Sequence, residues 1–250
     1  MNVTEYILTP PRLRQSMTLA VAADLHGRPF EDILETLRTL APDAILIPGD
    51  LMEDGHLFDP AHEGYTFLRA AAAIAPTYYS LGNHEMGCYH RGNHFAKPLQ
   101  KPIPEDLDTR VADTGAHLLD NTHRTVGDIS FCGLRSGLDG KRNAPDPEAL
   151  RRFDSLPGVR VLLCHHPEYY APYLKSTSIE LIVSGHAHGG QWRIFGRGVY
   201  APGQGLFPRY TSGVTDGRFV ISRGLGNHTH IPRIFNPPEL LLLRLEPQKP

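Results

Sequence analysis

The chain has 250 residues, 40% hydrophobic and 21% charged, and its 24 Gly and 22 Pro fall short of a disordered composition, so a packed core is expected. A net charge of −2 without any dense Lys/Arg block speaks against nucleic-acid binding by bulk charge. Three scattered cysteines, Cys88, Cys132 and Cys164, form no CxxC pair and speak against a disulfide framework or a thiolate zinc site.

The first predicted strand is TLAVAA (18–23). A helix follows over 31–40, where Ile33, Leu34, Leu37 and Leu40 share one face and Ala41-Pro42 closes the pattern. AILIP (44–48) is the next strand, and 60–75, carrying Tyr65, Phe67 and Leu68 before an Ala-rich tail stopped by Pro76, is the next helix. After TYYSL (77–81) come a helix over 105–114, the strand ISFCGL (129–134) and a helix over 147–153. VRVLLC (159–164), IELIVS (179–184), RFVIS (218–222) and LLLLRL (240–245) complete the strands. Several of these runs are apolar throughout, as suits strands covered on both faces. Beyond Gly185 the chain is predicted to be Gly-rich loop and short strand without a helix. No linker separates this β-rich back from the α/β front, so residues 1–250 are read as one domain. No apolar run nears the roughly 18 residues of a membrane span, so neither signal peptide nor anchor is expected, and a soluble, cytoplasmic protein is.

Histidine is the anomaly of composition, at 14 residues. Polar clusters follow successive strands: Asp24-Leu25-His26, Gly49-Asp50, Gly82-Asn83-His84-Glu85, Cys164-His165-His166-Pro167 and Gly185-His186-Ala187-His188. In α/β sheets the crevice beyond the carboxyl ends of the strands gathers such residues, so five clusters imply one site. Three of them begin with Gly, read as permitting a sharp turn off the strand. Asp, Asn and His without Cys are oxygen and nitrogen donors suited to Mn, Fe or Zn. Two carboxylates, one amide and four histidines exceed the needs of one ion. They suit two divalent ions sharing a carboxylate, as in two-metal hydrolases, and such a cluster keeps about one positive charge to attract an anionic phosphate.

The series DLH, GD, GNHE, HHP and GHAH, in that order, resembles the calcineurin-like metallophosphoesterase family from about Met17 onward. GHAHGGQ (185–191), SRGLG (222–226), Arg233 and the PPELLLLRL ending are similar to a bacterial phosphodiesterase branch with a GHxHGGQ motif. The resemblance implies an α/β fold, a four-layer α-β-β-α sandwich of two mixed sheets, with the metal site at strand ends. It implies that Asp24, His26, Asp50 and His188 bind one ion and Asp50, Asn83, His165 and His186 the other. His84 is then the catalytic residue that stabilises the transition state or protonates the leaving oxygen, and Glu85 orients it. A small phosphoester, a phosphodiester above a monoester, is the implied substrate, attacked in line by a metal-bridging hydroxide. The alternatives are a pyrophosphatase of nucleotide-linked lipids and a non-catalytic metal-binding scaffold. The former needs an apolar groove or cap, and the one sizeable insertion candidate, 88–105, is polar. Membrane-attached relatives carry a hydrophobic N-terminal segment that is not seen here. His165 is preferred over His166 as the ligand because it lies closer to the strand end, and the histidines outside the motifs have no assigned role.

Overall fold

The computed structural model describes residues 1–53, 56–86, 103–137, 144–227 and 231–248. Most of the insertion candidate, 88–102, lies outside the described residues. In chain order the first half contains β1 (Asn2–Leu8), β2 (Met17–Val21), α1 (Glu31–Leu40), β3 (Ala44–Ile47), α2 (Glu63–Ala72), β4 (Thr77–Tyr79), α3 (Leu107–Ala112) and β5 (His117–Leu118). β6 (His123–Val126), β7 (Ile129–Leu134), α4 (Pro147–Asp154), β8 (Val159–Cys164) and β9 (Leu181–Ser184) follow. The remaining strands are β10 (Arg193–Ile194), β11 (Arg197–Gly198), β12 (Tyr200–Ala201), β13 (Gly205–Leu206), β14 (Gly213–Thr215), β15 (Phe219–Ile221) and β16 (Glu239–Leu245).

Two six-stranded sheets result, ordered β1-β16-β2-β3-β4-β5 and β14-β15-β9-β8-β7-β6. Both are mixed. β16 runs antiparallel to β2 inside an otherwise parallel first sheet, and the second is parallel from β15 to β7 with antiparallel edges.

Side-chain alternation along the strands builds three apolar layers. Leu19 and Val21 of β2 and Leu46 of β3 meet Val161 and Leu163 of β8 and Val183 of β9 between the sheets. On the far face of the first sheet Ala20, Ile45 and Ile47 pack on Ile33 and Leu37 of α1 and on Phe67 and Leu68 of α2. On the far face of the second, Leu162 and Cys164 pack with Ala149 and Phe153 of α4. This is the four-layer α-β-β-α sandwich that the family resemblance implies.

Helix boundaries follow local chemistry. α1 stops where Ala41 turns left-handed (φ 44°) ahead of Pro42. α2 starts at Glu63, later than the pattern over 60–75 suggests, because the His62 side chain caps it by accepting from Gly64 N. Asp146 caps α4 by accepting from Glu148 N and Ala149 N, with Pro147 in the first turn. Beyond Gly185 the only helical segment among the described residues is the single turn His188–Gly190.

Candidate metal centre

The loops leaving β2, β3, β4, β8 and β9 converge, as the order of the polar clusters requires. They are stitched by backbone hydrogen bonds: Asp24 N donates to Gly49 O at 3.2 Å and His26 N to Asp50 O at 3.2 Å. Asp24, His26, Asp50, His186 and His188 all have left-handed backbones, with φ between 45° and 65°. Non-glycine residues adopt this region at a cost of about 1–2 kcal/mol each, so five of them at one place mark a site the surrounding fold holds under strain. Gly82 and Gly185 serve differently from the turn expected of them. A Cβ on Gly82 would stand 2.2 Å from Asp50 Oδ1, and one on Gly185 2.5 Å from Asp24 Oδ2. Only Gly49, at φ 100°, is also a left-handed turn among the three glycines that open the clusters.

The structure brings the seven nominated ligands into two adjoining groups. Asp24, His26 and His188 offer donor atoms within 4.8 Å of one another, and so do Asp50, His165 and His186. Asn83 joins the second group, its Oδ1 3.1 Å from His165 Nε2. Asp50 lies between them: its Oδ2 is 3.0 Å from His165 Nε2 and 3.8 Å from His26 Nε2. Among the described residues, buried Asp24 Oδ2 and His186 Nε2 have no hydrogen-bond partner, and Asp50 Oδ2 faces only imidazole nitrogens. Buried acceptors are rarely left so, and divalent cations would satisfy them, so the residues present fit a pair of such ions.

The imidazoles are aimed by their other nitrogens. His165 Nδ1 donates to Pro48 O at 2.8 Å, which turns Nε2 toward Asp50 and Asn83. His26 Nδ1 and His84 Nδ1 donate to the two oxygens of Glu53, at 2.8 Å and 2.7 Å. Glu53 thus clamps both rings, leaving His84 Nε2 3.9 Å from Asp50 Oδ2. The expectation for Glu85 meets a different geometry. Its carboxylate accepts from Gly82 N, Asp50 N and Met52 N at 2.7, 3.0 and 2.9 Å, so it locks the β3 and β4 loops together, while His84 is held by Glu53. His166 is buried rather than facing solvent, with Nδ1 3.0 Å from Glu168 Oε1, and these two with His186 make a further cluster of donors. On the outer side Arg233 Nη2 lies 3.1 Å from His188 Nδ1, and Asn236 Nδ2 donates to His188 O at 2.7 Å. Arg233 is among the residues that carry the family resemblance, whereas Glu53, Glu168 and Asn236 are functional candidates that the motifs do not mark. Only proximity in sequence, Glu53 three residues after Asp50 and Glu168 two after His166, could have suggested any of them.

Charge is unevenly shared. Burial pushes the Asp50 carboxyl up, but His165, His84 and His26 outweigh it and hold the group well below the usual carboxylate range. Burial lifts Asp24, against the pull of His165 and with help from Asp50. Burial opposes a charge on His165, yet Asp50 and Asp24 raise it to about 10. Burial, with the neighbouring His166 and His26 respectively, keeps His186 and His188 well below the usual imidazole range. His84 is raised, Asp50 and Glu53 overcoming its burial.

The calcineurin-like phosphoesterase pattern matches residues 17–190. The chain belongs to the calcineurin-like phosphoesterase family. Family members are metal-dependent phosphoester hydrolases, and the matched residues run from β2 through the His188 turn, including every nominated ligand. An uncharacterized metallophosphoesterase of Campylobacter jejuni is 28% identical to this chain over 247 residues, covering 96% of the chain. The chain spans 62% of that relative's length. A UDP-2,3-diacylglucosamine pyrophosphatase of Chlamydia muridarum is 24% identical, covering 86% of the chain and 77% of the relative. Among solved structures, a dimetal phosphatase from Danio rerio overlays with a TM-score of 0.45 at 11% identity, covering 83% of this chain and 87% of that one.

Proposed function

We propose that residues 1–250 form one domain acting as a dinuclear metal-dependent phosphodiesterase on a small phosphoester. The observation that carries this is the convergence of Asp24, His26, Asp50, Asn83, His165, His186 and His188 from five strand ends onto two adjoining groups with unpartnered buried acceptors. Divalent Mn, Fe or Zn bound there supplies Lewis acidity toward a phosphoryl oxygen and lowers the pKa of water.

The chain's own residues do the rest. Asp50, kept ionised, reaches both groups and sets their spacing. His84, with Nδ1–H committed to Glu53 and its basicity raised, presents a proton at Nε2. A diester's leaving alkoxide needs that proton, and a positioned general acid is worth roughly 10²–10⁴ in rate. Glu85 keeps the loop of His84 and Asn83 in register by holding the Gly82 and Asp50 amides. No helix among the described residues is long and apolar enough to cross a membrane.

Protein purified without chelator is expected to hold about two metal ions per chain and to hydrolyse an aryl phosphodiester. Asn83→Ala should lose metal. His84→Ala should keep its metal and lose roughly 10²–10⁴ in kcat. A metal-loaded protein inert to diesters, monoesters and pyrophosphates, a lipid-linked one included, would overturn the reading.

A further inference from the structure

Exposed large apolar side chains are concentrated. Of fourteen among the described residues, nine lie in two short segments, 192–207 and 231–235. Backbone hydrogen bonds make these one surface. Arg193 N donates to Ile234 O at 3.0 Å, Val199 N to Trp192 O at 2.9 Å and Phe207 N to Val199 O at 2.8 Å, so the 231–235 strap, the β10-β11 hairpin and the β12-β13 hairpin lie side by side. The most exposed side chains are phenylalanines in turns: Phe195, Phe235 and Phe207, at 101%, 84% and 79% exposure. All three have left-handed backbones, φ 50°, 52° and 51°. Turns of that kind favour Gly or Asn, and a solvated aromatic ring there gains nothing for the fold.

Charge completes the pattern. Between Glu180 and Glu239 the only carboxylate is Asp216, against six arginines, although the whole chain carries a net −2. Two of those arginines, Arg197 and Arg209, are exposed and each stands two residues beyond an exposed phenylalanine, Phe195 and Phe207. An apolar tip with a cation just behind it matches the boundary between acyl chains and anionic phosphates. Trp192, 42% exposed, keeps its indole N–H on Pro232 O at 3.0 Å, so its ring can meet an interface without an orphaned donor. This surface adjoins the metal centre. The strap that presents Phe235 outward also carries Arg233 and Asn236 inward against His188.

We propose that this face seats on an anionic lipid surface, with Phe195, Phe207 and Phe235 entering the headgroup boundary, and that the metal centre is thereby held at the membrane–water interface. Trp192 is the chain's single tryptophan and reports the event directly. The full chain is mixed, without substrate, with vesicles of phosphatidylcholine alone or of equimolar phosphatidylcholine and phosphatidylglycerol. A blue shift of tryptophan emission and co-sedimentation with the anionic vesicles are expected. Phe195→Ser/Phe207→Ser/Phe235→Ser should weaken partitioning by roughly 100-fold or more, and Arg197→Gln/Arg209→Gln should remove the preference for anionic vesicles. Both variants should keep the wild-type melting temperature, which separates loss of the surface from loss of the fold. Wild-type protein that ignores both vesicle types overturns the proposal, as does a triple variant that still binds. A dimer seen by light scattering and dissolved by the phenylalanine substitutions overturns it in favour of a second copy of the chain. Because binding is read without turnover, its failure is distinct from failure of the phosphodiesterase reading.

Discussion

One carboxylate sets the direction of two imidazoles. Glu53 accepts from His26 Nδ1 and His84 Nδ1 at once, and those two hydrogen bonds, overcoming its burial, hold its own carboxyl below the usual range. Glu53→Gln offers one carbonyl oxygen where two N–H groups need acceptors. Metal affinity and kcat/KM are each expected to fall roughly 10–100-fold. The sign of a second effect follows from His84, whose basicity is raised in part by Glu53. Without that negative charge its pKa falls, so a general acid loses its proton sooner and the alkaline limb of the kcat profile moves to lower pH. An unmoved limb with wild-type metal content would show that Glu53 does not act through His84. The residues nominated as ligands stand out in the sequence because each follows a strand directly, but Glu53 does not, since its partners arrive from the ends of other strands. Glu85 shows the converse. Adjacency to His84 suggested a role that folding gives to Glu53, because the Glu85 side chain turns back onto amides of Gly82, Asp50 and Met52.

Strands buried on both faces announce themselves, and those that build the centre are of this kind. β3, β8 and β9 lie within the runs AILIP, VRVLLC and IELIVS, and β2 overlaps TLAVAA, starting one residue earlier at Met17. β1 does not, for a physical reason. Its outward residues Val3, Glu5 and Ile7 mix polar with apolar at a sheet edge, so only its seven-residue register against β16 defines it. Edge strands β5, β6 and β14 and the small hairpins are short and take their shape from neighbours in the same way. Inside β8 sits an exception to the apolar pattern, Arg160, 1% exposed. Its Nε and Nη2 donate to the two oxygens of Glu180 at 2.8 and 2.6 Å, while Glu180 also accepts from Arg160 N at 2.9 Å. The pair ties the start of β8 to the residue before β9. Arg160 also donates to Ser178 O at 2.7 Å and lies 3.7 Å from Asp154 Oδ1, so Glu180→Ala removes its bidentate partner without leaving the guanidinium alone and should destabilise the fold by about 1–3 kcal/mol, read as a lower urea midpoint at unchanged slope. A midpoint within error of the wild type would mean that the guanidinium finds other acceptors.

At the scale of the molecule, folding assembles the centre at the mouth between two sheets, and in the metal-free chain a proton does part of the work a cation would do. His165 is fully buried, with Asp50 Oδ2 3.0 Å from its Nε2, and its pKa is raised to about 10 although burial alone would lower it. A raised folded-state value contributes stability that is complete below the ordinary imidazole range of about 6.5 and is lost as pH climbs toward that raised value. Asp50 acts at the other end: its depressed carboxyl contributes stability above about pH 4 that disappears on acidification. His186 and His188, kept neutral by burial, also favour unfolding below about pH 6.5, because the unfolded chain binds their protons. To ligate a cation His165 must give up its proton. The alkaline loss should therefore belong to the metal-free chain alone. Between about pH 7 and 9 the melting temperature of chelator-treated protein is expected to fall while that of manganese-loaded protein stays level, the stabilisation by metal growing by up to about 1.4 kcal/mol per pH unit for one proton displaced. Titration calorimetry at pH 8 in buffers of different ionisation enthalpy should show about one proton released per chain on metal binding. Parallel pH slopes for the two forms, with no proton released, would mean that His165 is not the ligand whose proton the metal replaces.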